Sequence, residues 1–306
     1  MASWNELLDQ LQKAGSTYDI VRRNALHQLH QKTGRNVIIC YSGWLQKGFL
    51  HTPAIRMDIN DSDKDGFMAV MNKLDRSKGL DLFLHTPGGE TAATESIVDY
   101  LRVMFGNDIR AVIPQLAMSA GTMIACACNK IIMGKHSSLG PIDPQLNGMT
   151  AHGIIEEFER AKREIAEDSS RIPVWQPIIA KYNPTLIGEC EKAIKWSQEM
   201  VEEWLISGMF SGEKDAKKRA KRAKRVIKEL GDHALTKSHA RHISLERARD
   251  IVGLEVLELE SKILDLQDAI MTVHHSCNLT LSATPAYKII ENHLGVASIG
   301  VAQQQK

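Results

Sequence analysis

Two segments of this protein each read as an apolar strand that runs into a tight turn and then a helix, and together they constrain the fold more than any other feature. The first is Leu82-Phe83-Leu84-His85-Thr86-Pro87-Gly88-Gly89, and the second is Ala111-Val112-Ile113-Pro114-Gln115-Leu116-Ala117-Met118-Ser119-Ala120-Gly121-Thr122. Glycines free of a Cβ let a turn expose bare backbone N–H groups, the raw material of an oxyanion hole. A serine hydroxyl at a helix start, between small residues, leaves room for a substrate. A nucleophile beside an oxyanion hole is the core of acyl-transfer chemistry.

The pattern around these turns fixes the expected architecture. Strands are predicted at 37–41, 80–84 and 109–113, with helices at 64–76 and 91–105 and another after Ser119. Ile97, Val98, Leu101 and Met104 give the second helix one apolar face. Alternating strand and helix imply a mainly parallel α/β sheet with crossover helices. Ligands of such sheets sit outside the carboxyl ends of the strands, where both turns fall. Residues 4–31 predict two helices broken near Gly15-Ser16-Thr17. Residues 152–230 predict an almost wholly helical stretch, interrupted near Ile172-Pro173 and Asn183-Pro184. Residues 244–257 read as a short helix, Gly253 and a short strand, and 258–306 as helical with a Gln-rich tail. The expected organisation is a helical segment at 1–34, a hydrolase domain at 35–257 with a helical insertion, and a helical extension at 258–306.

Composition excludes several classes. A 43% hydrophobic content in 306 residues supports a full core, and a net charge of +1 argues against a globally basic nucleic-acid binder. Five cysteines without a CxxC pair suggest buried thiols in a reducing compartment, not a disulfide framework. No apolar signal segment opens the sequence, and the apolar run Leu116–Met133 contains Ser119, Gly121, Asn129 and Lys130. A buried helix plus strand, in a soluble cytoplasmic protein, is the expectation.

Asp61-Ser62-Asp63-Lys64-Asp65-Gly66 copies the opening of a calcium loop, but position 12 would be Asn72 instead of the bidentate Glu. An acid-rich helix start explains it better, and no metal or cofactor is expected. Lys214 to Lys228 forms a basic amphipathic helix with a narrow seam at Ala216, Ala220, Ala223, Ile227 and Leu230. It reads as a solvated helix packed on a partner or on the body. Its functional alternatives are a lid over the cleft or a surface for an acidic partner, nucleic acid or an anionic membrane.

The paired turns resemble the Clp protease/crotonase superfold, and within it the peptidases related to signal peptide peptidase A. His85-Thr86-Pro87-Gly88-Gly89 fills the place of the oxyanion turn and Met118-Ser119-Ala120-Gly121 that of the nucleophile turn. Ser137-Ser138-Leu139-Gly140-Pro141-Ile142-Asp143-Pro144-Gln145 resembles the loop after the next strand. Ile243-Ser244-Leu245-Glu246-Arg247-Ala248 with Gly253-Leu254-Glu255-Val256 is similar to the closing helix and strand. The His-Thr-Pro-Gly-Gly and Gly-Pro-Ile-Asp-Pro-Gln forms look most like the family labelled serine dehydrogenase proteinase (SDH_sah). No GxGxxG follows a strand, so the dehydrogenase in that label has no counterpart here.

The resemblance implies a serine peptidase acting on peptide or protein substrates, assembled as a homo-oligomer. Ser119 is then the nucleophile, with Gly88, Gly89 and Ala120 offering N–H groups to the oxyanion. The general base has two candidates. Clp subunits carry their histidine on the loop where this sequence has Asp143, and their aspartate near the position of His239, so a Ser119–His239–Asp143 triad would exchange the two partners. Signal peptide peptidases use a lysine on a later helix, which makes Lys162 the alternative, although its surroundings read as a solvated helix face. His85 precedes the oxyanion turn and either faces the cleft or packs below it, a structural role being the expectation; His136 and His152 have no distinguishing spacing. Three rival readings remain. A crotonase-type acyl-CoA enzyme would work without Ser119. An α/β-hydrolase wants glycine where Ala117 stands. A non-catalytic assembly module would use the basic helix.

Overall fold

The computed structural model describes residues 16–146, 148–236 and 238–302. The first of the two expected N-terminal helices lies outside the described residues. The second is α1 (Thr17–Thr33), opened by a Ser16/Asp19 capping box and closed by Gly34 in the left-handed conformation.

Among the described residues, seven strands form the main sheet. β1 (Asn36–Ser42), β2 (Leu80–His85), β3 (Ile109–Ile113), β5 (Lys130–Met133) and β10 (Val256–Glu258) are mutually parallel. With β11 (Ala286–Asn292) and β12 (Ala297–Val301) the order across the sheet is β10-β5-β3-β2-β1-β11-β12. The apolar runs of the parallel strands are continuous because both faces are covered. Ile38, Cys40, Leu82, Leu84, Ala111 and Ile113 face one core; Val37, Ile39, Tyr41, Phe83 and Val112 face the other. The first core lies under α2 (Ser62–Met71), α3 (Thr91–Phe105) and α4 (Ala120–Cys126), and is extended by α7 (Leu186–Ser207) and α8 (Ala216–Gly231). The second lies under α1 and α9 (Gln267–Ala283). The apolar run from Leu116 to Met133 is thus a buried helix and strand. No helix among the described residues is long and apolar enough to cross a membrane.

The region after Glu258 departs from expectation. It is helical only through α9, and then β11 and β12 form an antiparallel hairpin added to the edge of β1. Pro285 forces Thr284 into extended backbone and ends α9. Ile289 and Ile290 then enter opposite cores, and Gly295 (φ 80°) turns the backbone round. The buried Arg22 of α1 bonds Glu291 of β11 and Thr280 of α9, so both terminal segments are fastened to the sheet.

A small hairpin of β7 (Gln145–Leu146) and β8 (Met149–Thr150) leads into the helical insertion. The insertion contains α5 (Ala151–Glu167), α6 (Ile172–Ile179), α7 and α8, with the expected interruptions and a further one at 208–215. On α8 the seam lies nearer the C-terminal end than the alanine spacing suggests: Ala223, Val226, Ile227 and Leu230 are buried, whereas Ala216 is exposed. Arg222 stacks 4.1 Å from the Phe210 ring centre and pairs with Glu255; Arg225 donates to the carbonyls of Asp250 and Ile251. The acids of the calcium-like segment serve the start of α2, where Asp63 accepts from the Asn60 N–H and the buried Lys288. No cluster of His, Cys, Asp or Glu among the described residues is placed to hold a metal ion. All five cysteines are buried and free.

Candidate active site

The two turns are stitched to each other by backbone bonds. The Thr86 N–H donates to the Leu116 carbonyl (3.1 Å), and the Met118 N–H donates to the Thr86 carbonyl (3.0 Å). Ser119 follows as the residue preceding α4, with φ 48° and ψ −112°. That conformation costs a non-glycine residue about 1–3 kcal/mol and persists only where its surroundings enforce it. Here they do. A Cβ on Gly88 would stand 2.7 Å from the Ser119 Cβ, one on Gly140 would stand 3.1 Å from the Ser119 nitrogen, and one on Gly121 would strike the Thr86 methyl. The Thr122 hydroxyl donates to the Ala117 carbonyl (2.8 Å) and accepts from the Gly140 N–H (2.9 Å), clamping the turn from beneath.

Three separated segments meet through a small second sheet. β4 (Leu116–Ala117) pairs in parallel with β6 (Ser138–Leu139), which pairs antiparallel with β9 (Ile243–Ser244). Ser119 lies just after β4, Asp143 just after β6, and His239 just before β9. Asp143 is held by its neighbour Ile142, whose N–H donates to the Leu230 carbonyl of α8 (2.9 Å) and whose carbonyl accepts from the Ser197 hydroxyl (3.2 Å). The basic helix therefore contributes the end of its backbone to this site.

Ser119, Gly88, Gly89, Asp143 and His239 line one cavity of about 760 Å³. His239 Nδ1 is 2.8 Å from Asp143 Oδ1; the carboxylate is buried and the imidazole about one-fifth exposed. When Nδ1–H donates to the carboxylate, the neutral ring keeps Nε2 as a proton acceptor. Lys162 does not join them. It sits on the outer face of α5, 72% exposed, paired with Glu159 at 2.8 Å. The solvated face expected from its sequence is what the fold gives Lys162, and it does not line the cavity of Ser119.

The glycine turn divides its labour. The Gly88 N–H donates to the Thr86 hydroxyl (3.2 Å), and its lack of a Cβ leaves space for Ser119. Gly89 bridges Ile59: the Gly88 carbonyl accepts from the Ile59 N–H (2.7 Å) and the Glu90 N–H donates to the Ile59 carbonyl (2.9 Å). In a parallel bridge the N–H of the middle residue turns the opposite way, and Gly89 lines the cavity. Ala120 opens α4, so its N–H belongs to the first turn and has no intrahelical acceptor. A Cβ on Gly89 would collide with the backbone of Ile59, which cannot yield without losing the bridge. Gly89→Ala is expected to destabilise the fold by about 3 kcal/mol, read from the denaturation midpoint, and to abolish cleavage.

His85 lies beneath the turn, fully buried, with no hydrogen-bond partner for either ring nitrogen among the described residues. Trp44, Tyr41 and His274 surround it, with ring centres at 4.4, 5.1 and 5.7 Å. Burial, and then the neighbouring His274, lower its pKa to about 3. It does not line the cavity. Sequence reasoning missed several residues that do: Arg56, Asp58 and Glu90, an ion-paired cluster, and the apolar Met123 and Trp196. Met123 had a signal, one helical turn after Ser119; Trp196 and Arg56 come from distant segments and had none.

Two proteins of Methanocaldococcus jannaschii resemble this one, the uncharacterized proteins MJ0137 and MJ1495. MJ0137 is 29% identical over 78% of this chain and 73% of its own length. MJ1495 is 27% identical over 75% and 72%. Solved structures that resemble it include two of the 1510-N membrane-bound stomatin-specific protease. One, a serine-to-alanine mutant, has a TM-score of 0.39 and 16% identity, covering 70% of this chain and 79% of that one. The other, a lysine-to-alanine mutant in complex with a substrate peptide, has a TM-score of 0.39 and 17% identity, covering 69% and 74%. Residues 8–283 match the sequence model of a family of serine proteinases, which favours peptide hydrolysis over the acyl-CoA and non-catalytic readings. This protein, with its Clp-like fold, belongs to the ClpP-like SDH-type serine proteinases and is a serine peptidase.

Proposed function

We propose that this peptidase cleaves peptide bonds through an acyl-enzyme on Ser119. The Ser119 Oγ attacks the scissile carbonyl carbon while its proton passes to Nε2 of His239. Asp143 orients the imidazole and stabilises its charged form. The oxyanion is held by the N–H groups of Gly89 and Ala120. As the C–N bond breaks, His239 gives the proton to the departing amine. Water, deprotonated by the same ring, then attacks the ester carbonyl; the C–O bond to Ser119 breaks, the ring returns the proton to Ser119 Oγ, and the acid is released.

The single observation that carries this reading is the convergence of Ser119, Asp143 and His239 through β4, β6 and β9 onto one cavity, with His239 bonded to Asp143. The outward lysines 217, 221, 224 and 228 recur at helical spacing, which suits an acidic partner as a secondary role for α8.

Labelling with a fluorophosphonate, read by intact mass and peptide mapping, tests the proposal. Wild type is expected to gain one adduct on Ser119, and Lys162→Ala to label at the wild-type rate. An adduct elsewhere, or labelling that depends on Lys162, would contradict it.

A further inference from the structure

A second cavity, of about 580 Å³, is also lined by His239. It shares Pro87, Gln145 and His239 with the cavity that holds Ser119, so these three residues form a common wall. Beyond that wall the lining includes the half-buried Trp44 and Met118 and the exposed His242. The two cavities differ in charge. The first contains Arg56, Asp58 and Glu90, whereas no Lys, Arg, Asp or Glu among the described residues lines the second.

Chemistry gives this division a direction. In the tetrahedral intermediate the oxyanion points to its N–H donors, and the leaving amine must lie against the imidazole that protonates it. The part of the substrate that follows the scissile bond therefore departs past His239, and the second cavity is the space it meets there. We infer that this cavity binds the first residue after the scissile bond, and that Trp44 and Met118 select a neutral aromatic or large apolar side chain. Trp44 is braced for this role, with its ring centre 4.4 Å from that of the buried His85. An aromatic ring placed against it gains both buried area and ring contact. A carboxylate there would find no cation of Lys or Arg type.

The inference rests on the Ser119 reading and has a test that separates the two. A peptidyl methyl ester places nothing in the second cavity, and its acyl-enzyme can be captured by an added amine instead of water. The new amide bond forms when the amine nitrogen attacks the ester carbonyl, Ser119 Oγ leaves with a proton, and the amine loses one to His239. Phenylalanine amide, glycine amide and aspartate amide are compared as acceptors by the ratio of amide to acid formed. This ratio does not depend on how much enzyme is active.

Phenylalanine amide is expected to exceed glycine amide by about tenfold, the discrimination of a modest apolar pocket, with aspartate amide lowest. Trp44→Ala is expected to bring the first two ratios within about twofold of each other. Equal capture of all three by wild type, or a preference unchanged in Trp44→Ala, would overturn the inference while ester hydrolysis still depended on Ser119. Ester hydrolysis that survived Ser119→Ala would instead overturn the reading beneath it.

Discussion

Replacing His239 with alanine is expected to lower kcat/KM for peptide cleavage by about 10⁴–10⁶-fold, and to cost about 1–3 kcal/mol of stability because the buried Asp143 carboxylate loses this partner. The imidazole is partly exposed and sits in a loop, so its removal opens no core cavity. Asp143→Asn is expected to cost about 10⁴-fold, because an amide can hold the ring in the wrong tautomer. The two losses are not independent. Once His239 is gone, Asp143 has nothing to orient, so the double variant is expected to be no slower than His239→Ala by more than a fewfold. Steady-state cleavage of one peptide by the four proteins gives the whole cycle. Loss of less than about tenfold in His239→Ala, well below the triad expectation, would move the general base elsewhere.

The second large effect is acid lability. Burial, and then the charge of a neighbouring histidine, lower His85 to a pKa of about 3 and His274 to about 4. Histidine in an unfolded chain titrates near 6.5. Above that pH both states are neutral and the stability is fully present. Between pH 6.5 and the folded values the unfolded state binds protons that the native state refuses, so stability falls as the pH falls. Each ring contributes a slope approaching about 1.4 kcal/mol per pH unit. Between pH 7 and 5 the two together are expected to remove about 4 kcal/mol, measured by denaturant titration. His85 makes no hydrogen bond among the described residues and sits among rings. His85→Phe is therefore expected to keep its stability at pH 8 and to lose about 2 kcal/mol less across that interval. An unchanged slope in this variant would contradict the assignment.

The parts of the molecule legible in the sequence are those whose chemistry is local. Pro87-Gly88-Gly89 and Met118-Ser119-Ala120-Gly121 announce tight turns because few residues other than glycine and small side chains satisfy them. The parallel sheet followed from strands and helices in alternation. The role of Gly88 was less legible. Two consecutive glycines look alike as N–H donors, and only the Thr86 hydroxyl and the Ile59 bridge distinguish them. His239 and Asp143 are 96 residues apart in sequence. Their pairing was suggested by resemblance, since no spacing rule spans an insertion of four helices. The C-terminal hairpin reads as helix in the sequence although Pro285 marks its start and Gly295 its turn. β11 has cores on both faces, so Ile289 and Ile290 are both apolar and the alternation that betrays a strand is missing.

The proposed mechanism centres on Ser119 as the nucleophile, with Gly89 and Ala120 as the donors to its oxyanion. A crystal structure of the protein after reaction with a peptidyl fluorophosphonate tests this most directly. Phosphorus is expected to be bonded to Ser119 Oγ, with one phosphonyl oxygen within about 3.1 Å of both backbone nitrogens and His239 still bonded to Asp143. Phosphorus on another residue, or a phosphonyl oxygen turned to solvent away from Gly89 and Ala120, would contradict it.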